Sequence, residues 1–551
     1  MSQEAVLSVK EQNASDRETV FEIVRTETSS PITLERESEN FNVQKQKMDI
    51  PKIVYINLHG EVSIRAAHMH AFVSKQGFNI HTIHFRRFIL YSRPPNEKEL
   101  GALKKVVLDL NPDIIMMSVL SSDFWDAVTI TNMFRKEVGR YNFIWGGVHP
   151  TIDPERCLEH VNVICRGEGE LALLDYLNAI KKGKEIFDIK NLWIKKDGEI
   201  IKNDFRPLID DLDSLPFPDF SDENKTFILG NRIFHKSPLP YRKYEYHTTL
   251  SRGCPFSCTY CIHNYYNKEF QHQYYRRRSI PNVIKELRKA LEDYPKLEDM
   301  SFWDDVFLTD EKWLEEFSVA YKKEINLPYF SYGHAALINE RKMQLMKDSN
   351  LGFFDIGVQS GSEKIRKEMF KRVDSDKHLL KAAEIIHRMK IEVGYDFIFS
   401  EYETEEELTK GLEFIFKLPK PFKPQINKLA YYLNYEITNR ALKDGKISIK
   451  DVASLDHETR DLQVVQDSEL KKFLIIHYYN LFGKRWVPNA LIRYMFKKKF
   501  HEKHPVLLYN LSQYTTKFET LRYNLKSSWK MFRRGELGYV YDRIVNKGDY
   551  F

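Results

Sequence analysis

Two hydrophobic rhythms alternate along most of the chain. Short runs of aliphatic and β-branched residues are separated by longer stretches in which apolar side chains recur every three to four positions. The first rhythm marks a buried strand and the second an amphipathic helix. Residues 52–58 (KIVYINL), 79–85, 113–119 (DIIMMSV) and 141–145 read as strands, and 65–75, 97–110 and 124–138 as the helices between them. Strands that are apolar throughout need cover on both faces, which points to a parallel sheet flanked by helices. Residues 49–202 are therefore expected to form a Rossmann-like, doubly wound α/β domain. Residues 1–48 are polar and charged without a sustained period and read as a mostly disordered tail. Residues 203–246 are rich in Pro and Asp (RPLIDDLDSLPFPDF) and read as a linker.

The rhythm resumes at residue 247. Strands are expected at 247–252, 299–303, 329–333, 354–358, 393–399 and 425–430, with helices at 281–294, 310–323, 340–347, 376–390 and 404–418. Strand–helix units in unbroken succession predict a partial (β/α)6 barrel over 247–430, with chemistry at the C-terminal ends of its strands. Residues 431–551 read as mainly helical, rich in Tyr, Phe, Lys and Arg, and are expected to cover the barrel mouth and set substrate choice. Within them, the run from Lys484 to Phe500 interleaves basic and aromatic residues. Such a run suits an anionic substrate, a membrane surface or RNA. Its simpler reading is a solvated helix face with a few core aromatics.

Charge and composition narrow the classes. The 551 residues carry a formal net charge of only +6, which argues against a dedicated nucleic-acid binder. No apolar run reaches the length of a bilayer-spanning helix. The first twenty residues mix charges of both signs with no apolar core, unlike a secretory signal, so the protein reads as soluble and cytoplasmic. There are five cysteines, and Cys254, Cys258 and Cys261 fall within eight residues. An odd, clustered set does not form a disulfide framework; it suits a metal or cluster site. Cys157 and Cys165 read as packing residues.

The cluster loop runs Gly253-Cys254-Pro255-Phe256-Ser257-Cys258-Thr259-Tyr260-Cys261, a C-x3-C-x2-C spacing just past the first barrel strand. Three thiolates can hold three irons of a [4Fe–4S] cubane and leave the fourth open to chelate a small molecule. No cysteine follows Cys261 to close that position. A structural zinc site with His263 as fourth ligand is the competing reading, although zinc prefers paired ligand spacings and Cys261-x-His263 is a cramped turn. In this loop, with Tyr260 before the last cysteine, the chain resembles the radical SAM superfamily. The resemblance implies an enzyme that cleaves S-adenosylmethionine reductively at a [4Fe–4S] cluster. It extends along the barrel. Trp303-Asp304-Asp305, ending the second strand, stands in the place of a Gly-Gly-Glu motif, so Asp304 and Asp305 are carried over by position as S-adenosylmethionine-binding residues. Gly357-Val358-Gln359-Ser360-Gly361 ends the fourth strand and matches a motif whose Gln approaches the cofactor ribose. Residues 399–404 (FSEYET) stand where many relatives have Gly-Pro-Gly-Glu-Thr. Taken without the family, Asp304 and Asp305 are helix-capping residues and Gln359 a buried amide.

Two short motifs in the first domain extend the resemblance. Ser118-Val119-Leu120 follows the third strand and Gly146-Gly147 the fourth, with His149-Pro150-Thr151 after it. A slender nucleotide tail sliding between sheet and helices needs small residues at the strand ends. The chain thus resembles cobalamin-binding-domain radical SAM proteins over about residues 50–430, with Ser118, Leu120, Gly146 and Gly147 implied to line the cobalamin slot. Arg166-Gly167-Glu168-Gly169-Glu170 and Leu215-Pro216-Phe217-Pro218 also resemble segments of this class. An Asp-x-His-x-x-Gly motif is absent, and His59 reads as a loop histidine.

The resemblance implies a 5′-deoxyadenosyl radical that abstracts hydrogen from an unactivated carbon, and a methyl group delivered from cobalamin. It implies a small-molecule or natural-product-like substrate and an external one-electron reductant. Two alternatives stay open: a radical cyclase or rearrangement enzyme that does not use cobalamin, and a non-catalytic metal-binding scaffold.

Overall fold

The first sheet is built from the apolar runs, and alternation decides which face each residue takes. Its strands are β1 (Lys52–Asn57), β2 (Asn79–Phe85), β3 (Ile114–Ser118), β4 (Asn142–Gly146), β5 (Val163–Cys165), β6 (Leu192–Lys196), β7 (Glu199–Lys202), β8 (Lys225–Leu229) and β9 (Arg232–Phe234). They lie in the order β9-β8-β2-β1-β3-β4-β5-β6-β7. The six from β8 to β5 are parallel, and an antiparallel strand or hairpin blunts each edge. In β1, Val54 and Ile56 join one core with Phe124 and Trp145, while Ile53 and Tyr55 join another with Leu173 and Tyr176. The chain grows outward through β2 and then returns past β1 to β3. This reversal opens a crevice at the C-terminal ends of β1 and β3, the usual ligand site of such sheets.

The computed structural model describes residues 50–58, 60, 63–86, 94–138, 141–238, 243–271, 274–453, 467–483 and 487–534. It also describes two short strands, Leu7–Val9 and Phe21–Ile23, which pair antiparallel. The rest of the expected tail, His59, and Lys484 to Trp486 lie outside the described residues.

The segment 203–246, expected as a linker, supplies β8 and β9 to the first sheet. Its apolar core is the short run Thr226–Leu229, diluted among Pro and Asp in sequence, and pairing with β2 buries it completely.

The second sheet holds β10 (Glu245–Thr248), β11 (Asp299–Phe302), β12 (Tyr329–Gly333), β13 (Leu351–Gln359), β14 (Glu392–Phe399) and β15 (Lys423–Lys428), all parallel and in sequence order. The intervening helices start where the sequence places a capping side chain. Ser279, Asp310, Asn339, Ser375 and Thr404 each accept a hydrogen bond from the backbone N–H three residues on. Alternate strand residues, such as Phe354, Ile356 and Val358 of β13, pack outward against these helices. The expected first strand divides: after Thr248 the chain leaves the sheet, and Ser251–Arg252 pairs antiparallel with Arg276–Arg277.

Beyond the barrel the chain is mainly helical, and its parts do different work. Residues 431–453 turn back over the strand ends. The helix Asp467–Gly483 instead braces the outer edge of the barrel: Tyr479 packs on Phe397 and Phe399 and donates to the Leu408 carbonyl at 3.0 Å. Of the basic–aromatic run, Arg493 donates to the Phe416 carbonyl at 2.9 Å and Ile492 and Met495 are buried, as an ordinary packed helix requires. No helix among the described residues is long and apolar enough to cross a membrane.

Candidate cofactor site

The cysteine loop sits at the C-terminal end of β10, anchored at each end. At its start, Gly253 has φ +87°, and a Cβ there would lie 2.6 Å from the Tyr274 carbonyl oxygen, so only glycine fits. Asn267, on the following helix Ile262–Glu269, donates to the carbonyls of Cys254 and Phe256 at 3.0 and 2.9 Å. Thr259 donates from its N–H and its hydroxyl to the Phe370 and Met369 carbonyls at 3.2 and 2.7 Å. All three thiols are free; Cys254 and Cys258 are buried and Cys261 is half-buried. Burial pushes the Cys254 thiol up to about 12 and that of Cys261 higher still. Secluded thiols on one short loop suit iron, whose charge reverses that penalty.

Asp304 and Asp305 take different roles. The buried Asp304 carboxylate accepts the Leu250 N–H at 3.1 and 3.0 Å and the Ser251 hydroxyl, and so holds the chain leading into the loop. Burial raises its carboxyl to about 6. Asp305 is half-exposed and lies 3.0 Å from His263 Nε2. That contact gives His263 a carboxylate partner other than a zinc ion. At the end of β13 the register slips between Gly357 and Gln359, and Gln359 takes φ +70°. A bulge at a strand end re-aims the side chain that follows it. The Gln359 Oε1 is secluded and has no hydrogen-bond partner, which leaves it open to a donor. Tyr260 packs on Phe370 and accepts a hydrogen bond from Arg372 at 3.0 Å.

In the first domain, Ser118, Leu120, Gly146 and Gly147 stay partly open among buried neighbours at the ends of β3 and β4. They stand beside the reversal point. A Cβ on Gly147, whose φ is +99°, would lie 2.8 Å from Ser118 Oγ, so the two motifs pack against each other. The strand ends are tied by Val119 N–H to the Gly146 carbonyl (2.8 Å) and His149 N–H to the Val119 carbonyl (3.0 Å). Small residues with an open edge suit a slender tail. Cys157 and Cys165 are buried in the two cores of this sheet.

Three features of the site join residues that lie far apart in sequence. Glu168 and Glu170 reach from the first sheet to the barrel: Arg252 donates to them at 3.3 and 2.6 Å, and Arg276 to Glu168 at 2.7 and 3.1 Å. Arg252 lies two residues before Cys254, so this clasp ties the cysteine loop to the first domain. Next, residues 431–453 bridge both halves: the Ile437 N–H donates to the Thr259 carbonyl at 3.1 Å, and Asn434 to that of Ile152. An apolar cluster containing Ile152, Phe370, Tyr431 and Tyr435, with Tyr260 and Val148 against it, lies between the two sheets. Last, Arg372, Asp374 and His334 are buried around the loop. Only their charge could have drawn notice, and isolated charged residues at loop positions give no pattern.

Comparison with known proteins agrees with both halves. Residues 248–415 match the model of the radical SAM superfamily, and residues 64–177 that of the B12 binding domain. An uncharacterized methyltransferase of Pyrococcus horikoshii is 25% identical over 321 residues, covering 57% of this chain and 66% of that one, just under two thirds of its length. The anaerobic magnesium-protoporphyrin IX monomethyl ester cyclase of Rubrivivax gelatinosus is 20% identical over 422 residues, covering 73% of this chain and 71% of the cyclase. Among solved structures, OxsB with aqua-cobalamin and S-adenosylmethionine bound superposes with a TM-score of 0.60 at 15% identity, covering 84% of this chain and 72% of OxsB. TsrM from Kitasatospora setae gives 0.55 at 12%, covering 72% and 76%. At such identities the likeness is one of fold.

Proposed function

From the premise that this chain belongs to the radical SAM superfamily and carries a B12-binding domain, with a [4Fe–4S] cluster, S-adenosylmethionine and cobalamin as its cofactors, we propose that it methylates an unactivated carbon of a small molecule. When bound, the cluster would supply the electron for reductive cleavage of S-adenosylmethionine, and cobalamin would supply the methyl group. Cys254, Cys258 and Cys261 hold the cluster. Gln359 and Tyr260 orient S-adenosylmethionine, Asp304 supports the loop beneath them, and Ser118, Leu120, Gly146 and Gly147 admit the cobalamin tail. The observation that carries the reading is the joint placement of the two sites. The small residues at the ends of β3 and β4, beside the crevice, lie in the half that the Glu168 clasp joins to the cysteine loop at the end of β10, and residues 431–453 contact both halves. Burial of that apolar cluster excludes water from the space a radical would occupy.

The test is anaerobic reconstitution with iron, sulfide and hydroxocobalamin, followed by incubation with S-adenosylmethionine, a reductant and candidate substrates. The expected result is one cluster and near-stoichiometric cobalamin per chain, with 5′-deoxyadenosine, S-adenosylhomocysteine and a product heavier by one methylene. A cluster without retained cobalamin overturns methyl transfer. A second reading is radical ring formation, favoured by the long match to the Rubrivivax cyclase. It predicts 5′-deoxyadenosine without S-adenosylhomocysteine and a product lighter by two hydrogens.

A further inference from the structure

We propose that Arg372, braced by the buried Asp374, is a yoke that positions the cysteine loop and that its charge eases reduction of the cluster; this rests on the cluster reading above. Asp374 is fully buried. One of its oxygens accepts from Arg372 Nε at 2.9 Å, and the other lies 3.1 Å from His334 Nε2. Each partner then reaches the loop. Arg372 donates to the Tyr260 hydroxyl at 3.0 Å, and the His334 ring stacks on Phe256 with 3.9 Å between centroids and 18° between planes. Phe256 and Tyr260 lie two residues to either side of Cys258; Arg372 holds the Tyr260 side by a hydrogen bond, and His334 meets the Phe256 side by stacking, its Nε2 close to Asp374 without a hydrogen bond. Arg372 also donates to the Gly357 carbonyl at 2.7 Å. The same guanidinium therefore ties the cysteine loop to the strand end that aims Gln359.

The yoke joins parts of the barrel that sequence keeps far apart. His334 follows β12, Gly357 belongs to β13, and Asp374 precedes the helix Asp376–Arg388. Burial keeps His334 neutral, lowering it to about 3. Arg372 stays charged although burial works against it, because Tyr260, Asp374 and Cys258 favour the cation. Reduction adds one negative charge to a cluster. A fixed cation in a secluded, low-dielectric site favours that step, and a carboxylate opposes it. Groups beyond the thiolates are a main means by which a protein sets such potentials. The Arg372–Asp374 pair places one charge of each sign beside the loop, with the cation toward Tyr260 and the carboxylate behind it. Asp305 is the acid whose charge acts on Cys254 and Cys261.

The experiment is a redox titration of the anaerobically reconstituted full-length protein, followed by the electron paramagnetic resonance of the reduced cluster, for the wild type and three variants. Arg372→Gln is expected to lower the reduced-to-oxidised ratio at fixed potential about tenfold, which is about 59 mV for one electron. Asp374→Asn is expected to raise it several-fold. Arg372→Lys, which keeps the charge and loses the forked reach, is expected to stay within about twofold. Shifts of Arg372→Gln and Asp374→Asn in the same direction, or of less than twofold in both, overturn the proposal. If Arg372→Gln does not fold, Asp374→Asn decides: a several-fold rise with Arg372→Lys within about twofold supports the proposal, and a fall or a change of less than twofold in Asp374→Asn overturns it. A wild type that does not hold four irons overturns the cluster reading instead, and so is told apart.

Discussion

At the scale of single residues, the cysteine loop depends on positions that are not cysteine. Gly253 is the clearest. Its positive φ and the Tyr274 carbonyl against it leave no room for a side chain. Gly253→Ala combines a left-handed backbone penalty with overpacking and is expected to destabilise the protein by about 2–4 kcal/mol. Denaturant titration of the apo-protein measures this, and iron content after reconstitution is expected to fall with it. An alanine variant that binds iron and unfolds like the wild type would contradict the geometry. Asn267 acts in the same direction at lower cost, since its loss frees two carbonyls that water can reach when the loop loosens.

At the scale of elements, the ends of neighbouring barrel strands are locked to one another by buried acids. Glu403 follows β14, accepts the Ser400 N–H at 3.0 Å and bonds the Ser360 hydroxyl beyond β13. Burial raises its carboxyl from 4.5 to about 7. An acid raised on folding binds its proton more tightly in the native state. Its contribution to stability is therefore complete below about pH 4.5 and is lost as pH rises through about 7. Glu403→Gln removes that dependence. Relative to the variant, the wild type is expected to lose on the order of 1–3 kcal/mol between pH 4.5 and 7.5, the upper end of what such a shift carries. Parallel urea titrations of the two proteins across this range measure it, and curves that track each other at every pH would refute it.

At the scale of the molecule, the two sheets are held together by contacts that include a buried ionic clasp. Glu168 receives Arg276, which is only 7% exposed, together with Arg252. Glu168→Ala strands at least one buried guanidinium, a change that costs about 3–5 kcal/mol. The loss falls on the junction, so the expected result in calorimetry is one cooperative transition in the wild type and two separated transitions in the variant. A single transition lowered in both would place the clasp within one folding unit. Residues 431–453 reinforce the junction from the mouth side through Ile437 and Asn434, which ties the cysteine loop to the first sheet.

What the amino-acid order determined by itself is whatever is local and periodic. The apolar runs of β1 to β4, the capping residues ahead of the barrel helices, and the C-x3-C-x2-C loop after the first barrel strand are all legible, because each is written in neighbouring residues. Ser118 and Gly146-Gly147 are readable as small residues at strand ends for the same reason; their role toward cobalamin is part of the proposal. Tertiary structure alone decided the rest. Residues 225–229 became a strand because β2 offered an unpaired edge. Asp304 turned toward Leu250 and Ser251, which sequence places more than fifty residues away. Residues 431–453 came to the mouth while the later helices went to the barrel's outer edge, a division that helical periodicity does not encode. Arg372, Asp374 and His334 met around the cysteines because three strand ends converge there. A single charged residue carries no period, and its partner is chosen only when the chain has closed around it.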